Sequence, residues 1–275
     1  MNAFARPTTL EEATAILADG DWRVFAGGTD LYPAAASRLG GNCLDVTGIP
    51  DLMGIHAESD LKFGASATWS QIAEANLPPS CRSLQQAARL VGGRQIQNAG
   101  TIAGNLCNAS PAADGVPPLL TLDAVVHLAS QSETRSVPLE DFILGPRKTA
   151  LKAGELVTAI TVPARCLKGR SAFLKLGARS YLVISIAMVA VRLSLSAGRI
   201  DDVAIAVGSC SAKACRLKQI EHRLLGQPAD AALATISDAE IAQSLAPIDD
   251  IRATSDYRLA AAGHLVRRAI QEALA

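Results

Sequence analysis

The stretch Phe25-Ala-Gly-Gly-Thr-Asp-Leu31, with its downstream counterpart Asn98-Ala-Gly-Thr-Ile-Ala-Gly-Asn105, decides how this chain reads. In the first segment, Gly27 and Gly28 permit backbone angles closed to other residues and let a ligand approach the main chain. The apolar run from Trp22 to Phe25 reads as a short strand, and Thr29 and Asp30 can cap a helix through Leu31 to about Arg38, stopped by Gly40-Gly41. A helix opening there offers amide groups and the positive end of its dipole, a natural phosphate site. A Gly-Gly turn also joins strand to helix with no ligand at all, so this loop alone leaves both readings open. The second segment shifts the balance. Gly100 and Gly104 bracket Thr101 and Ile102, while Asn98 and Asn105 supply amides able to grip sugar or phosphate. Behind the rigid Ser110-Pro111 turn, Asp114 can hold a ribose or ribityl hydroxyl, the plain alternative being an Asx-turn or cap before Pro117-Pro118.

Working outward, Thr8-Thr-Leu-Glu11 reads as a capping box, with Leu10, Ala13, Ile16 and Leu17 at helical spacing up to Gly20. Residues 43–46 read as a second strand, which makes the opening a small α/β unit. Leu61, Phe63 and Ala65 alternate as a strand does, and Thr68-Trp-Ser-Gln71 heads a helix ending before Pro78-Pro79. Another helix covers Ser83 to Val91, and residues 92–115 read as a loop without helical period. Loops of that length inside a compact domain are usually functional. Strands resume at 124–129 and 156–162, and the basic cluster at 165–170 suggests a domain boundary. Beyond it, 189–196 and 203–207 flank Ala197-Gly-Arg199 as a hairpin, and the last helix carries Leu259, Ala262, Val266, Ala269 and Ala273 on one face.

Composition narrows the classes. The 275 residues, 49% hydrophobic and 19% charged, fit a globular protein of one large domain or two ordinary ones. A formal net charge of zero from 26 basic and 26 acidic side chains gives no sign of nucleic acid. The longest apolar stretch, Tyr181 to Val191, is about half of what spans a bilayer, and no secretory leader opens the chain, so a cytoplasmic location without membrane insertion is expected. The six cysteines read as reduced thiols. Cys210 and Cys215 have the C-x4-C start of an iron–sulfur loop, but Lys218 stands where a third cysteine belongs, so buried thiols and no metal are expected. The four histidines are scattered and read as structural. Neither G-x-G-x-x-G after a strand nor G-x-x-x-x-G-K-[ST] is present, which disfavours a plain Rossmann or P-loop enzyme. Two charge-assisted hydrogen bonds to phosphate contribute roughly 1.5–3 kcal/mol each. Micromolar binding needs about 8 kcal/mol. A large flat apolar group must therefore supply the remainder by burial.

These residues resemble the FAD-binding medium subunit of the molybdenum hydroxylases, the family of the xanthine dehydrogenase and carbon monoxide dehydrogenase flavoproteins. Ala26-Gly-Gly-Thr-Asp-Leu31 is similar to its first flavin loop and Gln95-Ile-Gln-Asn-Ala-Gly-Thr-Ile-Ala-Gly-Asn105 to its second. Ser110 to Asp114, Pro117-Pro-Leu-Leu120 and Asp123-Ala-Val125 continue the pattern. Phe173-Leu-Lys-Leu-Gly-Ala-Arg179 with Ile184-Ser185, and Asp249-Asp-Ile-Arg252 with Asp256-Tyr-Arg258, resemble its C-terminal part. The resemblance implies an α+β fold. A two-subdomain FAD-binding region of vanillyl-alcohol-oxidase (PCMH) type would fill residues 1–166, in subdomains of about 1–55 and 56–166. A C-terminal α/β domain with a three-stranded antiparallel sheet and helices would fill 167–275. Phe25, Ala26, Gly27, Gly28, Thr29, Asp30 and Leu31, with Thr101, Ile102, Ala103, Gly104 and Asn105, would hold the diphosphate and ribityl chain. Asp114 would take a hydroxyl, Lys175 would sit near the flavin, and the backbone around Leu156 would contact adenine or ring. Ala103, Gln97 and Val91 stand where the family usually carries Gly, Arg and an aromatic residue.

The resemblance further implies an oxidoreductase subunit with FAD and no catalytic acid or base of its own. Electrons would come from iron–sulfur clusters of a small 2Fe-2S subunit beside a large molybdopterin subunit and leave for NAD+ or another acceptor. The assembly would be a dimer of heterotrimers. Substrate choice falls to the molybdenum subunit. A stand-alone flavin oxidase or reductase, and a scaffold that kept the fold but lost FAD, are the alternatives.

Overall fold

Alternation places Leu61 and Phe63 on a buried strand face while Lys62 points to solvent, and that strand belongs to one of three larger sheets in a computed structural model that describes residues 3–35 and 40–275. The first sheet is parallel, in the order β1 (Phe4–Ala5), β3 (Asn42–Asp45), β2 (Trp22–Phe25), with helix α1 (Leu10–Ala18) between β1 and β2. Helix α2 (Leu31–Ala34) follows β2. The second sheet is antiparallel, in the order β4 (Ile55–Ala57), β5 (Leu61–Gly64), β10 (Leu156–Val162), β6 (Val125–Ala129), β7 (Thr134–Pro138). Between β7 and β10, helix α8 (Leu139–Phe142) leads into a small hairpin of β8 (Ile143–Gly145) and β9 (Lys148–Thr149). The central strand of the second sheet, β10, reads Leu-Val-Thr-Ala-Ile-Thr-Val and is buried at every residue except its two threonines.

Helices α3 (Trp69–Glu74), α4 (Arg82–Leu90), α5 (Arg94–Ala99), α6 (Ile102–Asn108) and α7 (Val116–Thr121) lie between β5 and β6 in the chain. The third sheet, antiparallel, runs β11 (Arg170–Leu176), β12 (Ala187–Ser196), β13 (Arg199–Gly208), β14 (Cys215–Arg216). Helices α9 (Lys218–Leu224), α10 (Asp238–Gln243) and α11 (Ser255–Leu274) complete the chain and pack Leu217, Ile220, Leu224, Val266 and Ile270 onto one face of that sheet. Its other face meets the N-terminal region, where Phe173, Met188 and Ala190 pack on Ala87 of α4. Arg192, 2% exposed, ties the two regions by donating from Nε to the Thr121 carbonyl at 2.7 Å. Arg216 does the same with Asp123 at 2.8 Å. This double coverage explains why β12 is buried along seven consecutive residues.

Several expectations need correction. The first cap is Thr9, whose hydroxyl accepts from the Glu12 amide, one residue later than the Thr8 box. Asp30 precedes α2 without a side-chain cap bond, and the expected continuation to Arg38 falls on 36–39, outside the described residues. The supposed loop 92–115 contains α5 and α6, hidden from the sequence by Gly100 and Gly104; the buried pair Ile102 and Leu106 is its helical signature. Strands β1, β4 and β7 were not anticipated, being short or largely polar on one side. The C-terminal sheet has a fourth strand, the two-residue β14. The hairpin at Ala197-Gly198 is present, with both residues at positive φ (49° and 73°) as a two-residue primed turn requires.

Thr68-Trp-Ser-Gln71 forms a reciprocal capping box on α3. Thr68→Ala is expected to cost about 0.5–2 kcal/mol, read as a lower urea midpoint at unchanged m, with Thr68→Ser close to wild type.

Candidate functional site

The two glycine loops meet. Residues 25–31 leave the end of β2, and residues 100–105 open α6; the backbone of Gly27 lies against that of Ala99 so closely that a Cβ on Gly27 would sit 1.8 Å from the Ala99 carbonyl oxygen. Gly28 takes φ +66°, and a side chain there would overlap the Tyr32 ring, which itself packs edge-on to Phe25 at 6.3 Å. Only glycine satisfies both positions. The second loop is docked through its neighbours: Trp69 N donates to Gly100 O at 3.1 Å, Ile102 N to Ala67 O at 2.9 Å and Ala103 N to Ala65 O at 3.3 Å. Asn108 then bridges the loops, donating to Asp30 at 2.8 Å and accepting from Arg147 at the tip of the β8–β9 hairpin.

Around this junction opens a cleft of about 1060 Å³, at the upper end of or beyond the roughly 300–1,000 Å³ typical of small-molecule pockets. Its walls come from all three sheet regions. Phe25 to Leu31, Thr101, Gly104, Asn105 and Asp114 line it, and so does Lys175 from β11. Ile102, Ala103 and Leu156 do not. The first two side chains are 0% and 8% exposed, with their amides spent on Ala67 and Ala65, so the methyl of Ala103 points away from the cleft. Leu156 is in the core of the second sheet, paired with Ala129. Gln97, which stands where the family usually carries Arg, is buried and donates to the Arg89 carbonyl at 2.9 Å. Val91 does line the cleft.

The C-terminal wall brings Lys175 and Ser185 against Asp114. Ser185 donates to Asp114 at 2.5 Å, and Lys175 Nζ lies 2.6 Å from the other carboxylate oxygen, both charged side chains being 8% exposed. Burial pushes the Asp114 carboxyl up from its ordinary value, opposed by the Lys175 ammonium and the two hydrogen bonds. Ser209, Asp250 and Arg258 also reach the cleft. Burial would raise Asp250 as well, but the Arg252 amide and guanidinium and the Arg258 guanidinium together hold it down at about 2. Of these residues, Ser185, Asp250 and Arg258 carried a signal only through the family motifs, and Ser209, Asn108 and Arg147 none.

The four histidines stay out of the cleft lining; His127, between Thr161 and Ser136 at 2.8 Å each, sits on the second sheet. Among the described residues no group of three His, Cys, Asp or Glu could hold a metal. Cys210 is buried and Cys215 half-buried, each donating to a backbone carbonyl. No described helix is long and apolar enough to cross a membrane.

Two family models match the chain: the FAD binding domain in molybdopterin dehydrogenase over residues 1–165 and the CO dehydrogenase flavoprotein C-terminal domain over residues 172–273. The chain belongs to this FAD-binding flavoprotein family of the molybdopterin dehydrogenases. It is an oxidoreductase subunit whose cofactor is FAD. It is 32% identical to the nicotine 6-hydroxylase medium subunit of Paenarthrobacter nicotinovorans, over 98% of this chain and 96% of the relative. It is 31% identical to the carbon monoxide dehydrogenase medium chain of Hydrogenophaga pseudoflava, over 99% and 96%. Among solved structures, the reconstituted CO dehydrogenase from Oligotropha carboxidovorans superposes with a TM-score of 0.91 at 29% identity, covering 99% of this chain and 97% of that one.

The residues present fit such a ligand. Asn105 Oδ1, Ser209 Oγ and Arg258 Nε are buried in cleft-lining residues without a protein partner, an acceptor, a hydroxyl and a cationic donor suited to a polyhydroxylated, anionic molecule. At the junction the Gly27 backbone lies against that of Ala99, so main chain from both loops lines the cleft at one place.

The coupling of Lys175 to Asp114 gives a pH-dependent expectation. In Lys175→Met the opposing charge is gone, and the Asp114 carboxyl rises further. A carboxyl whose folded pKa exceeds its unfolded value takes up a proton on folding, so stability falls as pH rises between the two. The variant should lose about 3–5 kcal/mol near neutral pH, part of it regained in acid, as read by urea unfolding at several pH values. A pH-independent loss would mean Asp114 is not the group left unpaired.

Proposed function

We propose that the chain is the electron-transferring FAD subunit of a three-part molybdenum hydroxylase, with one FAD lying across the cleft. The observation that carries this is the contact of Gly27 with Ala99, which brings two loops suited to a diphosphate to one place. In this reading, Phe25 to Leu31 with Thr101, Gly104 and Asn105 hold the diphosphate and ribityl chain. Thr101 Oγ1 accepts from the Gly104 amide at 3.0 Å and keeps its own proton to donate. Asp114 takes a hydroxyl, and Lys175 with the 182–185 segment borders the flavin ring. Residues 1–166 act as the FAD-binding region of vanillyl-alcohol-oxidase type, in subdomains of about 1–55 and 56–166, and 167–275 as the flavoprotein domain that closes it.

When bound, FAD supplies redox chemistry in one- and two-electron units. The chain's own work is to bind it, to exclude water with Val91, Trp69 and Ile184, and to keep Lys175 fixed on Asp114. The relatives' designations as medium subunit and medium chain support partners of larger and smaller size, here a molybdopterin subunit and a 2Fe-2S subunit. Electrons would arrive from the iron–sulfur partner and leave to NAD+ or another acceptor, in a cytoplasmic dimer of heterotrimers.

Titration of FAD into the full chain, followed by quenching of flavin fluorescence, tests the reading. One equivalent should bind, and Gly27→Ala should weaken binding by at least roughly tenfold, about 1.4 kcal/mol, because its methyl forces the loops apart. A chain that takes up no FAD, or a Gly27→Ala chain that binds like wild type, contradicts it.

A further inference from the structure

Arg258 projects from α11 into the protein, 4% exposed, and divides its guanidinium among three separate segments. Nη1 donates to the Ile186 carbonyl at 2.6 Å and the Ser209 carbonyl at 2.9 Å, and Nη2 to Asp250 at 2.7 Å. Each segment leads to the cleft. Ile186 adjoins Ser185, whose hydroxyl holds Asp114 and, through it, Lys175. Ser209 sits at φ 63°, a left-handed conformation unusual for a serine, and its amide donates at 3.1 Å to the carbonyl of Pro111, three residues before Asp114. Asp250 lines the cleft directly, clamped also by Arg252 at 2.8 Å. A brace alone would be served by any filled set of hydrogen bonds. Here Nε is left buried without a protein partner, in a residue that borders the cleft.

We propose that Arg258 is a positioning residue for the cofactor: its planar fork fixes the spacing of the 185–186, 209 and 250 segments, and so sets the Ser185–Asp114–Lys175 chain against the flavin. The inference rests on the FAD reading above and adds a role for a residue on the closing helix. Geometry matters more than charge, because three acceptors on three segments need a rigid, multi-donor fork that a lysine ammonium does not reproduce.

The full chain, loaded with FAD, provides the test. Thermal midpoint, FAD affinity, the visible absorption of bound flavin and its midpoint potential are measured for wild type, Arg258→Gln, Arg258→Lys and Asp250→Asn. Both Arg258 variants should bind FAD roughly tenfold more weakly or worse, with a displaced absorption maximum and a shifted potential. Lysine should fail to restore either, and Asp250→Asn, which removes one anchor, should move both in the same direction by less. If a folded Arg258→Gln loses thermal stability but keeps the wild-type spectrum and potential, Arg258 is only a brace and the proposal is overturned. If Arg258→Gln does not fold, Asp250→Asn and Arg258→Lys decide by the same readouts. Failure of the wild type to take up FAD would overturn the functional reading itself, a result distinct from either.

Discussion

The close approach of Gly27 to the Ala99 carbonyl is the constraint on which the rest of the site depends. It joins a loop at the end of a parallel sheet to one that opens a helix beneath an antiparallel sheet, and no side chain fits between them. The surrounding contacts serve that approach. Trp69, 1% exposed, anchors the Gly100 carbonyl through its amide, and the Asn108 side chain secures Asp30 from the far side. Removing the glycines would not merely loosen a turn; a Cβ at Gly27 would force the two loops apart.

The third region supplies what the loops lack. The glycine segments offer backbone and small polar groups, whereas the C-terminal wall brings Lys175, Ser185 and Arg258 into the same cleft. Most of its charges are already paired, Lys175 with Asp114 and Arg258 with Asp250. Buried pairs of this kind add little net stability, since desolvation offsets their attraction, but they fix positions. The double coverage of the third sheet, by α11 on one side and α4 on the other, makes that wall a rigid part of the whole molecule rather than an appended lobe.

Much of this was legible in the sequence where a local rule applied. The Thr68 box, the apolar β10 and the Ala197-Gly198 hairpin each follow from short-range chemistry, and the paired glycines marked the cleft before any geometry was known. What escaped was set by tertiary packing. Helices α5 and α6 were masked because Gly100 and Gly104 read as breakers, although Gly104 is tolerated inside a helix whose buried face is Ile102 and Leu106. The contact expected around Leu156 rests on analogy alone, and its side chain is buried in the second sheet away from the cleft lining. Arg147, Asn108 and Ser209 converge on the cleft from a turn, a helix end and the end of a strand, places where no periodicity or motif announces a role.

Hydrogen–deuterium exchange with and without FAD tests the central claim most directly, because each loop reports separately. If one molecule is cradled by both, the peptides covering residues 25–31 and 100–105 gain protection together, at the same FAD concentration. Protection confined to one of them, or appearing only elsewhere in the chain, would contradict the account.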